Sequence, residues 1–311
     1  MLTSVAPAPA AIRARPPRPS YQAFAVSVAR VQQLSTNFTR VTFTGPELHR
    51  FGTVGLDQRI KLVLPLPGLG VSSFPTDDAW YEAWRNLPDE RRNPIRTYTV
   101  RQARPEHREV DIDFVTHGDA GPASRWVRAA IVGDEVALVG PVAGGDNPRI
   151  GIEWEPGAAK TVLIAGDETA APAICAILAA LPRTARGCAY IEVPETGDIH
   201  ETHAPAGVSV TWLPRDGGIH GSALEAAVRG WTARFITAHR SNVILSDVNV
   251  DEEMLWEVPD GSALDGELYA WLAGEAGVIK RLRRFLVSEV GIDRRQVAFM
   301  GYWRDGRAEH A

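Results

Sequence analysis

Residues 160–181 read KTVLIAGDETAAPAICAILAAL, and this stretch decides the fold class. Thr161–Gly166 is an unbroken apolar run of strand length, which suits a strand covered on both faces. Thr169–Leu181 follows after a short acidic turn, with Pro172 in its first turn and small apolar residues throughout, and reads as a buried helix. A doubly covered strand feeding a helix is the repeating unit of a parallel sheet. The same alternation continues downstream: GCAYIEV (187–193) and VSVTWLP (208–214) are strands, SALEAAVRG (222–230) a helix, LYAWLAG (268–274) a strand, EAGVIKRLRRFLVSEVG (275–291) a helix and QVAFMGYW (296–303) a last strand.

Upstream the period changes from continuous to alternating. AFAVSVARV (23–31), TRVTFTG (39–45), RIKLVLPLP (59–67), RTYTVRQ (96–102), EVDIDFVTH (109–117) and DEVALVGP (134–141) place apolar residues at every second position between Gly and Pro breaks. Half-buried strands at this spacing predict a small antiparallel barrel. One insertion, TDDAWYEAWRNL (76–87), carries aromatics at helical spacing and predicts a short helix. The expected organisation is therefore a tail over residues 1–20 without fixed structure, a barrel over 21–150, a linker over 150–159 and an α/β unit over 160–311. A barrel followed by a parallel sheet can grip a cofactor between them, at the sheet's carboxyl edge.

Composition narrows the classes of function. The chain has 311 residues, 33 Lys and Arg against 38 Asp and Glu, and a net charge of −5, which argues against a dedicated nucleic-acid binder. The longest apolar strand, Thr161–Ala165, is far too short to span a bilayer, and the first twenty residues lack the apolar core of a secretory signal. Cys175 and Cys188, the only cysteines, sit in apolar company without a CxxC pair, so reduced buried thiols and a cytoplasmic location are expected. No Ser/His/Asp, Cys/His or HExxH arrangement is present, and no protein metal site is expected.

Three segments carry chemistry. In Arg96-Thr97-Tyr98-Thr99, an extended chain puts Arg96 and Tyr98 on one face and Thr97 and Thr99 on the other. Arginine beside an aromatic ring suits a planar anionic ligand, while an exposed strand with an incidental ion pair is the alternative. The stretch 113–126, DFVTHGDAGPASRW, ends a strand and opens a helix with small residues, whose free backbone N–H groups could cradle phosphate. In AGDETAAP (165–172), Asp167 and Glu168 put negative charge where a dinucleotide phosphate would sit; capping of the helix by Asp167 or Thr169 is the alternative.

Taken in order, RTYT (96–99), DFVTHGDAGPASRW (113–126), AGDETAAPAI (165–174), WLAGEA (271–276) and GYWRDG (301–306) resemble the siderophore-interacting protein family, the flavin-dependent ferric-siderophore reductases of the ferredoxin–NADP reductase superfamily. The resemblance implies an FAD-binding barrel followed by an NAD(P)H-binding-like domain. It places Arg96, Thr97, Tyr98 and Thr99 at the flavin, with Thr99 near the reactive N5 and hence the catalytic position. Asp113, Val115, Thr116 and His117 form the next flavin-binding stretch. Gly121, Ala123, Ser124 and Trp126 hold the pyrophosphate and adenine side. Asp167 and Thr169 stand near the flavin, and Tyr302, Trp303 and Arg304 return to its edge. The family's basic substrate triad is matched to Lys61, Lys280 and Arg283, with Arg284 as substitute. Gly274 and Glu275 are matched to the dinucleotide; Arg215, after the strand VSVTWLP, is read from its position as a candidate for a 2′-phosphate, a solvated loop arginine being the alternative.

The implied activity passes electrons from NADPH or NADH, or from ferredoxin, through FAD to the iron of a ferric siderophore. A general flavin reductase and a siderophore-binding flavoprotein without turnover are the alternatives. Two departures bear on the donor. The glycine-rich turn of the wider superfamily is replaced by Asp167, Glu168 and Thr169, and Gly274-Glu275-Ala276 stands where a Cys-Gly pair would be.

Overall fold

The computed structural model describes residues 20–77, 79–116, 121–239, 255–259 and 267–306. The expected tail therefore lies outside the described residues, apart from Ser20.

The first half forms strands β1 (Tyr21–Gln33), β2 (Phe38–Thr44), β3 (Arg59–Val63), β4 (Ile95–Thr99), β5 (Gln102–Arg104), β6 (Glu109–Val115) and β7 (Glu135–Pro141), with helices α1 (Trp80–Arg85) and α2 (Pro122–Ala129) inserted. The strands make one seven-stranded antiparallel sheet in the order β4-β3-β7-β1-β2-β6-β5. The sheet curls on itself. Beyond β4, the Arg101 N–H donates to the Asp111 carbonyl of β6 at 3.0 Å, and the Tyr98 ring lies 4.5 Å from Phe114. The alternation read from β1 explains the curl's interior: Phe24, Val26 and Val28 are buried together with Phe43, Leu62, Ile112, Phe114 and Leu138.

The second half forms β8 (Thr161–Gly166), α3 (Ala171–Ala180), β9 (Arg186–Val193), β10 (Val208–Pro214), α4 (Ser222–His239), β11 (Trp256–Glu257), β12 (Leu268–Glu275), α5 (Ala276–Arg283) and β13 (Val297–Trp303). They build a six-stranded sheet in the order β10-β9-β8-β12-β13-β11, parallel except for β11, which runs antiparallel to β13. Cys175 and Cys188 are buried and free, and burial pushes their thiols up to about 11 and about 12, which keeps them protonated and inert. Among the described residues no helix is long and apolar enough to cross a membrane.

Some element limits differ from the pattern-based reading. Helix α4 runs past Gly230 to His239 instead of ending at the glycine. Helix α3 begins at Ala171 rather than Thr169, because Asp167 ties the preceding turn to itself. The last helix is regular only to Arg283 and widens to Glu289, where the Val290 N–H reaches back to the Phe285 carbonyl at 3.0 Å. Strand β11 carries no periodic signal because two residues are too few to show one.

Buried carboxylates lock the halves together. Asp57, from the barrel, accepts the Glu153 and Trp154 N–H groups of the linker and the Trp271 indole N–H of β12, at 3.1–3.2 Å. Burial holds its carboxyl above the usual range in spite of those donors. Asp198, following β9, accepts from Ser35 Oγ at 2.6 Å and Asn37 Nδ2 at 2.8 Å in the β1–β2 turn.

Candidate active site

A cleft of about 360 Å³ lies where the barrel meets the carboxyl edge of the parallel sheet. Arg59 and Lys61 of β3, Arg96 to Thr99 of β4, and Asp113 and Val115 of β6 form its barrel wall. Thr169 and Pro172 before and within α3, Trp256 of β11, and Gly301, Tyr302 and Trp303 of β13 form the opposite wall. Strand pairing sets the first wall. Lys61 lies opposite Thr97 in the β3–β4 ladder, and its ammonium donates to Thr97 Oγ1 at 2.8 Å.

The charge balance of the cleft is positive. Arg59, Lys61 and Arg96 stand against a single carboxylate on its lining, Asp113, and Arg59 is paired with Glu153 beside the cleft, which leaves Lys61 and Arg96 as the excess charge. Asp113 is already committed: Arg40 binds both its oxygens at 2.7 and 2.9 Å, and Arg101 stands 3.6 Å away. Among the described residues, Tyr302 Oη and Arg59 Nε are buried polar atoms without a hydrogen-bond partner, and both belong to cleft-lining side chains. Burial pushes the Tyr302 phenol well above its ordinary value, so it stays a neutral hydroxyl. Unpartnered buried polar atoms cost free energy unless a ligand supplies the missing partner. A planar, polar-edged, anionic ligand such as a flavin nucleotide fits these requirements.

The residues matched to the sheet side do not fill that cleft alone. Asp167, 1% exposed, is a structural hub at the carboxyl edge. Its Oδ1 accepts the Thr169 N–H at 2.9 Å and the Thr169 hydroxyl at 2.5 Å; its Oδ2 accepts the Glu275 N–H at 2.8 Å and the Trp303 indole N–H at 2.9 Å. Gly274 makes room for it: a Cβ there would sit 2.6 Å from Asp167 Oδ2, and its φ is +150°. His220 approaches Asp167 Oδ2 at 3.4 Å and Glu168 at 3.8 Å. The Asp167 carboxylate does not cap α3, whose N-cap is Ala170 without a side-chain cap; it ties the preceding turn to β12 and β13, and the ring held by it, Trp303, lines the cleft.

Glu168, fully buried, is paired to Arg215 by two hydrogen bonds of 2.6 and 2.7 Å, and Glu192 lies 3.4 Å from the same guanidinium. Glu192 also accepts the N–H groups of Gly221 and Leu224 at the start of α4. Arg215 is thus the counter-charge of the acidic turn. Ligand atoms of Asp167, Glu168 and His220 lie within 4.8 Å of one another, a spacing a cation could use, yet each of the four carboxylate oxygens already has a hydrogen-bond donor.

The remaining expectations separate clearly. Thr116 is half-buried and hydrogen-bonds the Asn37 carbonyl; His117 lies outside the described residues. Gly121 is the extended residue before α2, and Pro122 fills its first turn. Ala123 and Trp126 turn toward the barrel core, with Trp126 stacked on Phe43 at 6.0 Å, and Ser124 is half-buried between them. Lys280 and Arg283 are not brought to the cleft. Arg283 falls on the buried face of α5 with Ile279 and Leu282 and binds Glu257 of β11 at 2.6 and 3.1 Å. Neither they nor Arg284 line the cleft, whereas Lys61 does. Arg59 and Trp256 were missed. Arg59 is two residues before Lys61 on the same strand face, a signal period-two reading could have used; Trp256 had none.

Residues 27–145 match the siderophore-interacting FAD-binding domain, and residues 159–306 match the siderophore-interacting protein family. The chain belongs to the siderophore-interacting protein family. The ferric vibriobactin reductase ViuB of Vibrio cholerae serotype O1 is 32% identical over 282 residues, covering 91% of this chain and 89% of that protein. The crystal structure of the siderophore-interacting protein SipS from Aeromonas hydrophila superposes with a TM-score of 0.66 at 28% identity, over 93% of this chain and 94% of that one. A ferredoxin reductase in carbazole 1,9a-dioxygenase shares the fold, with a TM-score of 0.54 at 13% identity over 91% and 70% of the two chains. The barrel is the part of the chain that matches the FAD-binding domain, and the cleft is lined on one side by its strands β3, β4 and β6.

Proposed function

We propose that this chain reduces ferric siderophores with FAD as its bound carrier, using electrons from NADPH or NADH, or from a ferredoxin, and that it does so in the cytoplasm as two units, 21–150 and 160–311. The observation that carries the reading is the cationic cleft at the seam, with aromatic rings on its sheet side and unpartnered polar atoms on both walls. Bound FAD supplies the electron-carrying chemistry between a two-electron donor and one-electron iron. The chain's own residues position, balance charge and shape the cleft.

Arg96 and Lys61 offer cationic donors to phosphate and chelate oxygens. Thr99, only 7% exposed, offers its hydroxyl at the inner end of β4, where the resemblance sets the flavin N5. Arg40 and Arg101 hold Asp113 in place, so its charge is balanced within the barrel. Asp167 fixes the Trp303 indole and with it one wall of the cleft. Reduction favours release because Fe²⁺ binds hard oxygen chelators less tightly than Fe³⁺.

The donor side follows from the acidic turn. The N–H groups of Thr169, Ala170 and Ala171, which would cradle a pyrophosphate, all bond Asp167. Arg215 is spent on Glu168. A dinucleotide donor would dock without that cradle and without a 2′-phosphate contact from Arg215, so discrimination between NADPH and NADH should be weak.

The test is spectroscopic. Purified protein reconstituted with FAD should be yellow, bleach anaerobically with one of the donors, and recolour when a ferric chelate is added, with Fe²⁺ captured by a ferrous-specific dye. Failure to bind FAD, or flavin that bleaches yet is not reoxidised by any ferric chelate, refutes the proposal. Reoxidation by free FMN in preference to ferric chelates would favour a general flavin reductase.

A further inference from the structure

Trp303 lines the sheet side of the cleft, and a histidine outside every flavin motif stands against it. Asp167 Oδ2 accepts the Trp303 indole N–H at 2.9 Å. The His220 ring meets the Trp303 ring edge-on, with centroids 5.3 Å apart at 82°. His220 Nε2 also lies 3.4 Å from that same Asp167 oxygen and 3.8 Å from Glu168. The three side chains therefore form one closed contact, with the cleft wall as its outer member.

The main chain that presents His220 is fixed. Gly221 donates its N–H to Glu192 at 2.6 Å, and a Cβ at Gly221 would sit 2.3 Å from Val278 of α5, so the backbone is packed flush against that helix. The side chain is held by less. Nε2 is buried yet has no hydrogen-bond partner, so charge is what joins it to Asp167 and Glu168, and that charge exists only on the imidazolium. The ring is 25% exposed, which lets it exchange protons with solvent. The groups facing it are Asp167 and Glu168 from the β8–α3 turn, Arg215 beyond β10 and Trp303 of β13, and Glu192 of β9 reaches Arg215 at 3.4 Å. The carboxylates and the guanidinium keep their charges through the neutral range, so the histidine is the member of this cluster that titrates there. Burial opposes charge on the ring, but Asp167 and Glu168 outweigh it and hold His220 above its ordinary value. Losing the proton removes the ion pair that draws the ring onto Asp167, and with it the brace behind Trp303.

We propose that His220 is a positioning residue of the cofactor cleft: its imidazolium completes the Asp167 clamp that sets the Trp303 ring, so that FAD binding takes up a proton at this histidine. This rests on the reading that FAD occupies the cleft, and adds how that seat responds to pH. The test uses the full chain and FAD, with no electron donor and no ferric chelate. In wild type the FAD dissociation constant, followed by flavin fluorescence, should rise about fivefold between about pH 6 and about pH 9 through a single inflection. By linkage, calorimetric titration in two buffers of different ionisation enthalpy should show proton uptake on FAD binding near that inflection. His220→Gln should bind with the alkaline wild-type affinity at every pH, without an inflection. Trp303→Phe, which keeps a ring but has no N–H for Asp167, should also lose the inflection, because the proton acts through the indole. Wild-type binding without proton uptake overturns the proposal with no variant needed. An inflection that persists in His220→Gln overturns it, since another group then titrates; one that persists in Trp303→Phe overturns it too, since the charge then acts through space. A chain that binds no FAD at any pH overturns the reductase reading and this proposal together. One that binds FAD with this pH dependence yet reduces no ferric chelate overturns the reductase reading alone.

Discussion

Replacing Asp167 by asparagine should destabilise the fold by about 2–4 kcal/mol, and the geometry gives the figure. The two oxygens of the buried carboxylate accept four short hydrogen bonds, two from Thr169, one from the Glu275 N–H and one from the Trp303 indole. Asparagine keeps the shape but has one acceptor oxygen. Whichever way its amide turns, its NH₂ faces N–H donors: Thr169 on one side, Glu275 and Trp303 on the other. A stranded buried donor costs about 1–3 kcal/mol, and the surviving bonds lose charge assistance worth about 1 kcal/mol each, offset in part because no charge is then buried. Urea unfolding at neutral pH measures it. A loss under about 0.5 kcal/mol would refute the hub role, since isosteric changes without stranded groups cost about that little.

The pH dependence supplies a second arm. Burial raises the Asp167 carboxyl, but the adjacent His220 ring, 3.4 Å away, and the hydrogen bonds from Thr169 and Trp303 outweigh it and hold it below its ordinary value. A lowered carboxyl contributes stability above its unfolded pKa of ~3.9, lost as pH falls through the folded value. His220 is opposite in sign: burial lowers it, but Asp167 and Glu168 outweigh burial and hold it above its ordinary value. Its contribution is complete below the unfolded value of ~6.5 and is lost as pH rises through the folded one. The stability advantage of wild type over Asp167→Asn should therefore be largest in the mildly acidic range and shrink on both sides; an advantage that grows steadily with pH would contradict the pairing.

Gly274→Ala should lower thermal stability by about 2–3 kcal/mol, because the new Cβ would meet Asp167 Oδ2 at 2.6 Å from a φ that non-glycine residues avoid. In the Asp167→Asn background its cost should be less than additive, as expected for residues in contact. Arg96→Ala should weaken FAD binding by about 10- to 100-fold, the loss of a charge-assisted phosphate contact, and dialysed protein should be pale; a variant that stays fully yellow counts against the assignment. Arg283→Ala should lower unfolding free energy by about 1–3 kcal/mol, read as a fall in the thermal midpoint, since a nearly buried cation is removed from Glu257, while Lys280→Ala should be close to neutral. Both should keep wild-type KM for ferric chelates; a KM defect with unchanged stability in either would restore a substrate role to that helix.

Much of the architecture was legible because it is local. Period-two alternation around Phe24, Val26 and Val28 and the continuous run Thr161–Gly166 each state how many faces of a strand are covered, and that alone separates barrel from parallel sheet. The β4 and β13 parts of the cleft were legible for another reason: RTYT and GYW are contiguous, so neighbouring residues reach the site together. The substrate side was not. Lys280 and Arg283 share a helix face by spacing, but spacing does not say whether that face is wet; packing against β11 put Arg283 inside.

The amino-acid sequence by itself determined the two sheets, their order along the chain and the family to which it belongs, since these depend on periodicity and on runs of adjacent residues. Only the tertiary structure decided what each charge is for. Arg215 became the partner of Glu168, Asp167 the clamp for Trp303, and Trp256 a wall beside Arg59, because residues 47, 136 and 197 positions apart meet only in the folded chain, the first two pairs at the carboxyl edge of the parallel sheet and the third across the seam between the sheets. Electrostatic and stacking interactions act over a few ångströms, and the folded chain alone sets which groups come within that range.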